Sequence, residues 1–214
     1  MNLRALSLDK PPPADYEPAG TLRWDATLTD MADFFGSDKG TLKHNYTPVY
    51  EQHLAHLKSE PIRLLEIGVA CGASLKMWSR YFPYGKITGV DIRPECAELC
   101  KGYPNIEIKI ADATKERMFG DWDVVIDDGS HVAGHIAKSF HLNWPWLKSG
   151  GLYFIEDLLC TYHPGYKIKF PIDQADRDRA HFTKLLDDLM RRCDTGGDVK
   201  AIHYSPQLCV IEKR

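Results

Sequence analysis

The sequence predicts an α/β fold, a doubly wound and mostly parallel sheet with helices on both faces, closed at its end by an antiparallel hairpin. Three observations predict it. Short apolar runs at 63–69, 86–92, 106–110, 122–128 and 151–157 alternate with helix-patterned stretches. Several of these runs end in Gly or Asp, as strands do where a parallel sheet turns into its loops. The last two apolar runs, 199–204 and 208–212, instead flank the turn Ser205-Pro206-Gln207.

The elements follow in order. Residues 1–20 contain Pro11, Pro12, Pro13 and Pro18 and few large apolar groups, which predicts a flexible tail. Residues 21–214 are expected to form one domain, with 21–60 as a helical cap or flap. A short helix is expected from Thr27 to Phe35, stopped at Gly36. Thr47 followed by Pro48 reads as an N-cap with proline at the first helical position, and Val49, Tyr50, His53, Leu54 and Leu57 share one face of the helix that follows. Further helices are expected at 74–81, 94–101 and 132–147. A last one, at 176–192, turns Phe182, Leu185, Leu186 and Leu189 inward.

Composition narrows the function. A net charge of -3 implies no nucleic-acid partner. The six cysteines form no CxxC pair, which argues against a zinc ribbon or a disulfide framework and for a reducing cytoplasm. The first residues lack the apolar core of a signal peptide, and no apolar run reaches membrane-spanning length, so no membrane partner is expected.

The first glycine loop is Glu66-Ile67-Gly68-Val69-Ala70-Cys71-Gly72. A nicotinamide fingerprint would place glycines at 68, 70 and 73, whereas this chain has Ala70 and Ala73. Glu66-x-Gly-x-Ala-x-Gly instead resembles the first motif of methyltransferases, with one glycine replaced. Asp91, at the end of the second strand, suits two ribose hydroxyls, and Asp112 suits an adenine amino group.

The densest constellation is Asp127-Asp128-Gly129-Ser130-His131 with Glu156-Asp157. Both runs stand at the carboxyl ends of neighbouring strands, so their acids converge, and three carboxylates in a small volume repel unless a cation compensates them. Oxygen ligands select a hard ion, magnesium first, with manganese and calcium as alternatives. His131 lies in the loop over those acids and can take a proton from a substrate hydroxyl. His135 stands one helical turn further on, and a His131–His135 metal pair is the rival reading, disfavoured by the hard acids nearby. Before the sheet, Gly36-Ser37-Asp38-Lys39-Gly40-Thr41 with His44, Tyr46 and Tyr50 reads as a flap over the cofactor or a salt-bridged turn. The stretch 158–172 reads as a lid or substrate wall.

Together these residues resemble the metal-dependent sugar O-methyltransferases of macrolide antibiotic biosynthesis, of the macrocin and mycinamicin type. The matching text is Gly36-Ser-Asp-Lys-Gly, Leu65-Glu-Ile-Gly-Val, Gly72-Ala-Ser-Leu, Gly89-Val-Asp-Ile, Ile126-Asp-Asp-Gly-Ser-His and Ile155-Glu-Asp-Leu. The resemblance runs from about residue 30 to 165 and implies a Rossmann-like class I methyltransferase. It further implies that Asp128, Glu156 and Asp157 hold the metal and that His131 is the catalytic base. The S-adenosylmethionine side is then expected to comprise Glu66, Gly68, Gly72, Ser74, Asp91, Asp112, Asp127, Lys39 and Tyr46. The acceptor would be a small sugar-bearing natural product, with homo-oligomerisation left open. Two rivals stand beside this: a catechol-type O-methyltransferase, and a catalytically silent binding protein on the same sheet.

Overall fold

The computed structural model describes residues 21–23, 25–163 and 172–214; the expected tail at 1–20 and much of the stretch 158–172 lie outside them. The chain runs α1 (Leu28–Phe35), α2 (Thr47–Leu54), β1 (Arg63–Ile67), α3 (Ala73–Tyr81), β2 (Lys86–Asp91), β3 (Ile106–Ile110), β4 (Trp122–Asp127), α4 (Ala133–Asn143), β5 (Leu147–Ile155), α5 (Ala180–Asp194), β6 (Val199–Ser205) and β7 (Leu208–Lys213). Short 3₁₀ turns fill the gaps, among them Pro94–Glu98 and Leu158–Tyr162.

The seven strands form one sheet in the order β3-β2-β1-β4-β5-β7-β6. β1 through β5 are parallel, and the terminal hairpin adds antiparallel with β7 against β5. The order reverses between β1 and β4, which opens the crevice where ligands of such sheets sit.

The strands' two-residue period decides what faces where. Leu64, Val124, Ile126, Phe154 and Val210 point to the side covered by α1, α2 and α3, where they meet Tyr50, Leu54, Trp78 and Phe82. Leu65, Val125, Tyr153, Ile155 and Ile211 point to the other side, against Phe140, Phe182, Leu185 and Leu189 of α4 and α5. The same parity sends the buried Glu66 toward the α1–α3 side and the buried Asp127 toward the α4–α5 side.

Most boundaries match the periodicity, and the departures have physical reasons. α1 starts at Leu28, one residue later than expected, because Thr27 is its N-cap, with Thr27 and Asp30 bonding reciprocally, and Gly36 ends it as expected in the left-handed region. Thr47, however, is not a cap. It lies inside α2 while its hydroxyl pairs with that of Thr29 at 2.8 Å, tying α2 to α1. The expected helix over 94–101 is a 3₁₀ turn at Pro94–Glu98, short between Pro94 and Gly102. α4 ends at Asn143, since Pro145 cannot continue it and Leu147 already pairs with Trp122 in the sheet. α5 starts at Ala180 rather than 176, because Asp176 turns its carboxylate to Lys138 on α4 at 2.7 Å. Leu186 is only partly buried there, unlike Phe182, Leu185 and Leu189.

Candidate active site

Three loops leave the carboxyl ends of β1, β4 and β5 side by side, and each carries a non-glycine residue in the left-handed region: Ala70 (φ 48°), His131 (φ 58°) and Asp157 (φ 55°). Such backbone is costly and persists where surrounding structure enforces it, most often at functional sites. Gly68 (φ +97°) permits the closest approach, since a Cβ there would lie 2.0 Å from the backbone oxygen of Asp128. The Asp128 amide in turn donates to the Ile67 carbonyl at 2.9 Å, so the glycine loop and the acidic loop are packed as one unit.

Asp128, His131 and Asp157 meet here, their ligand atoms all within 4.8 Å of one another. His131 Nε2 lies 4.0 Å from Asp128 Oδ1 and 3.6 Å from Asp157 Oδ2. Asp157 Oδ1 accepts from the Tyr46 hydroxyl at 2.7 Å, and His44, stacked on the Tyr46 ring, brings its Nε2 to 3.7 Å from the same oxygen. His44 Nε2 is buried without a hydrogen-bond partner. Burial raises the Asp157 pKa, but His131, His44 and Tyr46 outweigh it and hold the carboxyl below its ordinary range.

Glu156 stands apart from that trio. It projects to the α1–α3 side, where the Tyr50 hydroxyl donates to Oε1 and Lys39 Nζ donates to Oε2 at 2.9 Å. Lys39 is fully buried and also contacts Asp128 Oδ2 at 2.5 Å and Glu66 Oε1 at 3.4 Å. An ammonium has three N–H donors, and three carboxylates surround this one. Burial would discharge the lysine, but Asp128, Glu156 and Glu66 outweigh it and hold its pKa well above the ordinary value. Burial pushes Glu66 up to about 7 and, joined by the charge of Asp128, drives Glu156 well above its usual range.

The remaining residues expected to meet the cofactor lie at or just past the carboxyl ends of β1 to β4. Ser74, at the start of α3, donates to Glu66 Oε2 at 3.0 Å. Gly72, also left-handed (φ 79°), caps α3. Asp91 accepts from the Val69 amide at 3.0 Å, the Arg93 amide at 3.0 Å and the Arg93 guanidinium at 3.0 and 2.8 Å. Asp112 accepts from Thr114 and pairs with Lys115 at 2.9 Å. Asp127 lies on the α4–α5 side beside the Tyr153 hydroxyl at 3.4 Å, with its pKa pushed up by burial to about 6. His135 turns away from the acids: its Nδ1 pairs with the Ser130 hydroxyl at 2.9 Å and its Nε2 lies 3.5 Å from Asp176.

Three residues of the site have partners that the sequence does not indicate, Tyr50 with Glu156, His44 with Asp157 and Arg93 with Asp91. Tyr50 and His44 stood in the motif-dense flap, which was the available signal. Arg93 gave none, because its partner Asp91 is identified only by the strand it ends.

No protein-family model matches the chain. The 8-demethyl-8-(2-methoxy-alpha-L-rhamnosyl)-tetracenomycin-C 3'-O-methyltransferase of Streptomyces olivaceus is 41% identical over 87% of this chain and 53% of its own length. The mycinamicin VI 2''-O-methyltransferase of Micromonospora griseorubida is 36% identical over 74% of this chain and 41% of its own length. Among solved structures, MycE methyltransferase from the mycinamycin biosynthetic pathway, in complex with Mg and SAH, superposes with a TM-score of 0.72 at 30% identity, over 88% of this chain and 55% of that one. A putative caffeoyl-CoA O-methyltransferase from Staphylococcus aureus, at 14% identity and a TM-score of 0.61 over 89% of this chain and 93% of that one, shares the fold alone. The chain spans about half the length of the curated relatives it matches. By sequence and by fold it is a homologue of the sugar O-methyltransferases of macrolide biosynthesis, with the class I methyltransferase fold.

Proposed function

We propose that the chain is an S-adenosylmethionine- and magnesium-dependent O-methyltransferase acting on a hydroxyl of a sugar-bearing natural product. The observation that carries the proposal is the convergence of Asp128, His131 and Asp157 beside the glycine loop. The likeness to MycE methyltransferase, solved with Mg and SAH and, in a second complex, with mycinamycin VI as well, supports the reading.

The residues fit both groups. Asp128, Glu156 and Asp157 offer hard oxygen donors, with Asp128 Oδ1 and Asp157 Oδ2 turned toward His131. The buried carboxylate of Glu66, which accepts from Ser74 at Oε2 and lies 3.4 Å from Lys39 Nζ at Oε1, is an acceptor suited to the ammonium of the cofactor's amino acid end. The remaining cofactor contacts are assigned to Gly68, Gly72, Ser74, Asp91, Asp112 and Asp127, with Tyr46 shaping the flap. When bound, the divalent ion supplies a Lewis acid that lowers the pKa of a sugar hydroxyl and fixes its position. His131 would take the hydroxyl proton at Nε2, leaving the oxygen to form its bond to the methyl carbon in line with the breaking C–S bond, with neutral S-adenosylhomocysteine as the leaving group. Tyr46 and His44 hold Asp157 on the side away from His131. Among the described residues no helix is long and apolar enough to cross a membrane. The six thiols are free, which supports placing the protein in a reducing cytoplasm. The modest net charge supports no nucleic-acid partner.

A panel of glycosylated acceptors and catechols with radiolabelled S-adenosylmethionine, run with and without chelator, tests the proposal. Transfer to sugars that chelation abolishes is the expected result. Transfer confined to catechols would favour the catechol-type reading. Absence of transfer, with no binding of S-adenosylhomocysteine, would sink the proposal.

A further inference from the structure

Lys39 reaches from the loop after α1 into the space between the ends of β1, β4 and β5 and meets one acid from each: Glu66, Asp128 and Glu156. Its backbone is fixed, because the Lys39 carbonyl accepts from the amides of Tyr46 at 2.8 Å and Thr47 at 3.1 Å where α2 begins. Only the side chain is left to move.

The ammonium engages Asp128 Oδ2 and Glu156 Oε2, two of the acids assigned above to the divalent ion, and the Tyr50 hydroxyl takes the other oxygen of Glu156. A lone pair that accepts from an ammonium is not free for a metal ion, and two cations on the same carboxylates repel. The third neighbour, Glu66, is the acid of the cofactor loop, at 3.4 Å.

We propose that Lys39 is a positioning residue, a built-in cation whose ion pairs with Asp128 and Glu156 hold those acids in place, compete with a divalent ion for them and weaken its binding. This deepens the function proposed above and rests on it. The lysine keeps three buried carboxylates from repelling one another before the ion arrives, and it ties the metal acids to the cofactor loop.

The test is calorimetric titration of the whole protein with Mn²⁺ and with Mg²⁺, for wild type, Lys39→Met and Lys39→Arg, with folding checked by circular dichroism. Lys39→Met keeps the aliphatic stem and removes the charge. It is expected to bind Mn²⁺ about tenfold tighter or more, whereas Lys39→Arg, which keeps the charge, stays within about threefold of wild type. A folded Lys39→Met that binds Mn²⁺ no tighter than a binding-competent wild type overturns the role of Lys39 alone. Silence of both wild type and Lys39→Met toward both ions overturns the metal assignment as well. If Lys39→Met does not fold, the ¹⁵Nζ resonance of Lys39 in wild type decides. It is expected to shift with added Mg²⁺ at the calorimetric midpoint, and a resonance unmoved while Mg²⁺ binds overturns the proposal.

Discussion

The Tyr46 hydroxyl donates to Asp157 Oδ1 at 2.7 Å, joining the start of α2 to the end of β5 across 111 residues of sequence. The bond uses the oxygen of Asp157 that faces away from His131 and so leaves Oδ2 on the active side. Tyr46→Phe should therefore keep the fold, with a stability loss of about 1 kcal/mol, which for a chain of this size is a fall of about 2–4 °C in melting temperature. Turnover should then require a higher Mg²⁺ concentration to saturate. An unchanged Mg²⁺ dependence would show that Asp157 is held without Tyr46.

The strand-end acids should be separable from the fold. Asp128 is partly exposed at the end of β4, so Asp128→Ala should cost little stability while abolishing turnover. Asp157→Ala should recover part of its activity in excess Mg²⁺, because Asp128 and Glu156 remain. Full activity after exhaustive chelation would refute a metal role for all three.

His131 and His135 should behave differently because the fold directs them to different acids, His131 to Asp128 and Asp157, His135 to Asp176. A positioned general base contributes about 10²–10⁴-fold, so His131→Ala should lower turnover within that range. Cofactor affinity should be nearly unchanged, and the residual rate should rise with pH as hydroxide substitutes for the imidazole. His135→Ala removes only the contacts to Ser130 and Asp176 and should do much less. Equal small effects of the two substitutions would remove His131 from the role of base.

Arg93 covers both oxygens of Asp91, so a ribose diol bound there, as proposed above, would have to take over from its guanidinium. Asp91→Ala should lower S-adenosylhomocysteine affinity by about tenfold or more, through loss of hydrogen bonds to a charged group. Arg93→Ala frees the acceptors and should change affinity by no more than about threefold. Calorimetry that found Arg93→Ala the more damaging of the two would make Arg93 itself a ligand contact.

Gly68→Val tests the packing of the two loops. A side chain there would strike the Asp128 carbonyl at the positive φ of this residue, so the damage falls on the acidic loop as well as on ligand space. The loss should be about 3 kcal/mol or more, accompanied by loss of both cofactor and cation binding, as melting curves and calorimetry would report. A variant that lost cofactor binding alone would show that the loops are not coupled.

The sequence by itself determined the alternation of strands and helices, the stop of α1 at Gly36, the terminal hairpin, and the acids and histidine after β4 and β5. Each of these is written in local periodicity or in residues a few positions apart, so no knowledge of distant chain was needed. Tertiary structure alone decided that β7 inserts between β5 and β6, that Thr47 binds Thr29 instead of capping α2, and that Arg93 covers Asp91. It also decided that Glu156 turns to Tyr50 and Lys39 while Asp128 and Asp157 gather around His131. Lys39 is 89 residues from Asp128 and 117 from Glu156, and no local pattern encodes such a pairing. The physical reason is burial: a lysine and a glutamate taken out of water must find each other, and which partners are within reach is set by the packing of α1 and α2 over the ends of the sheet.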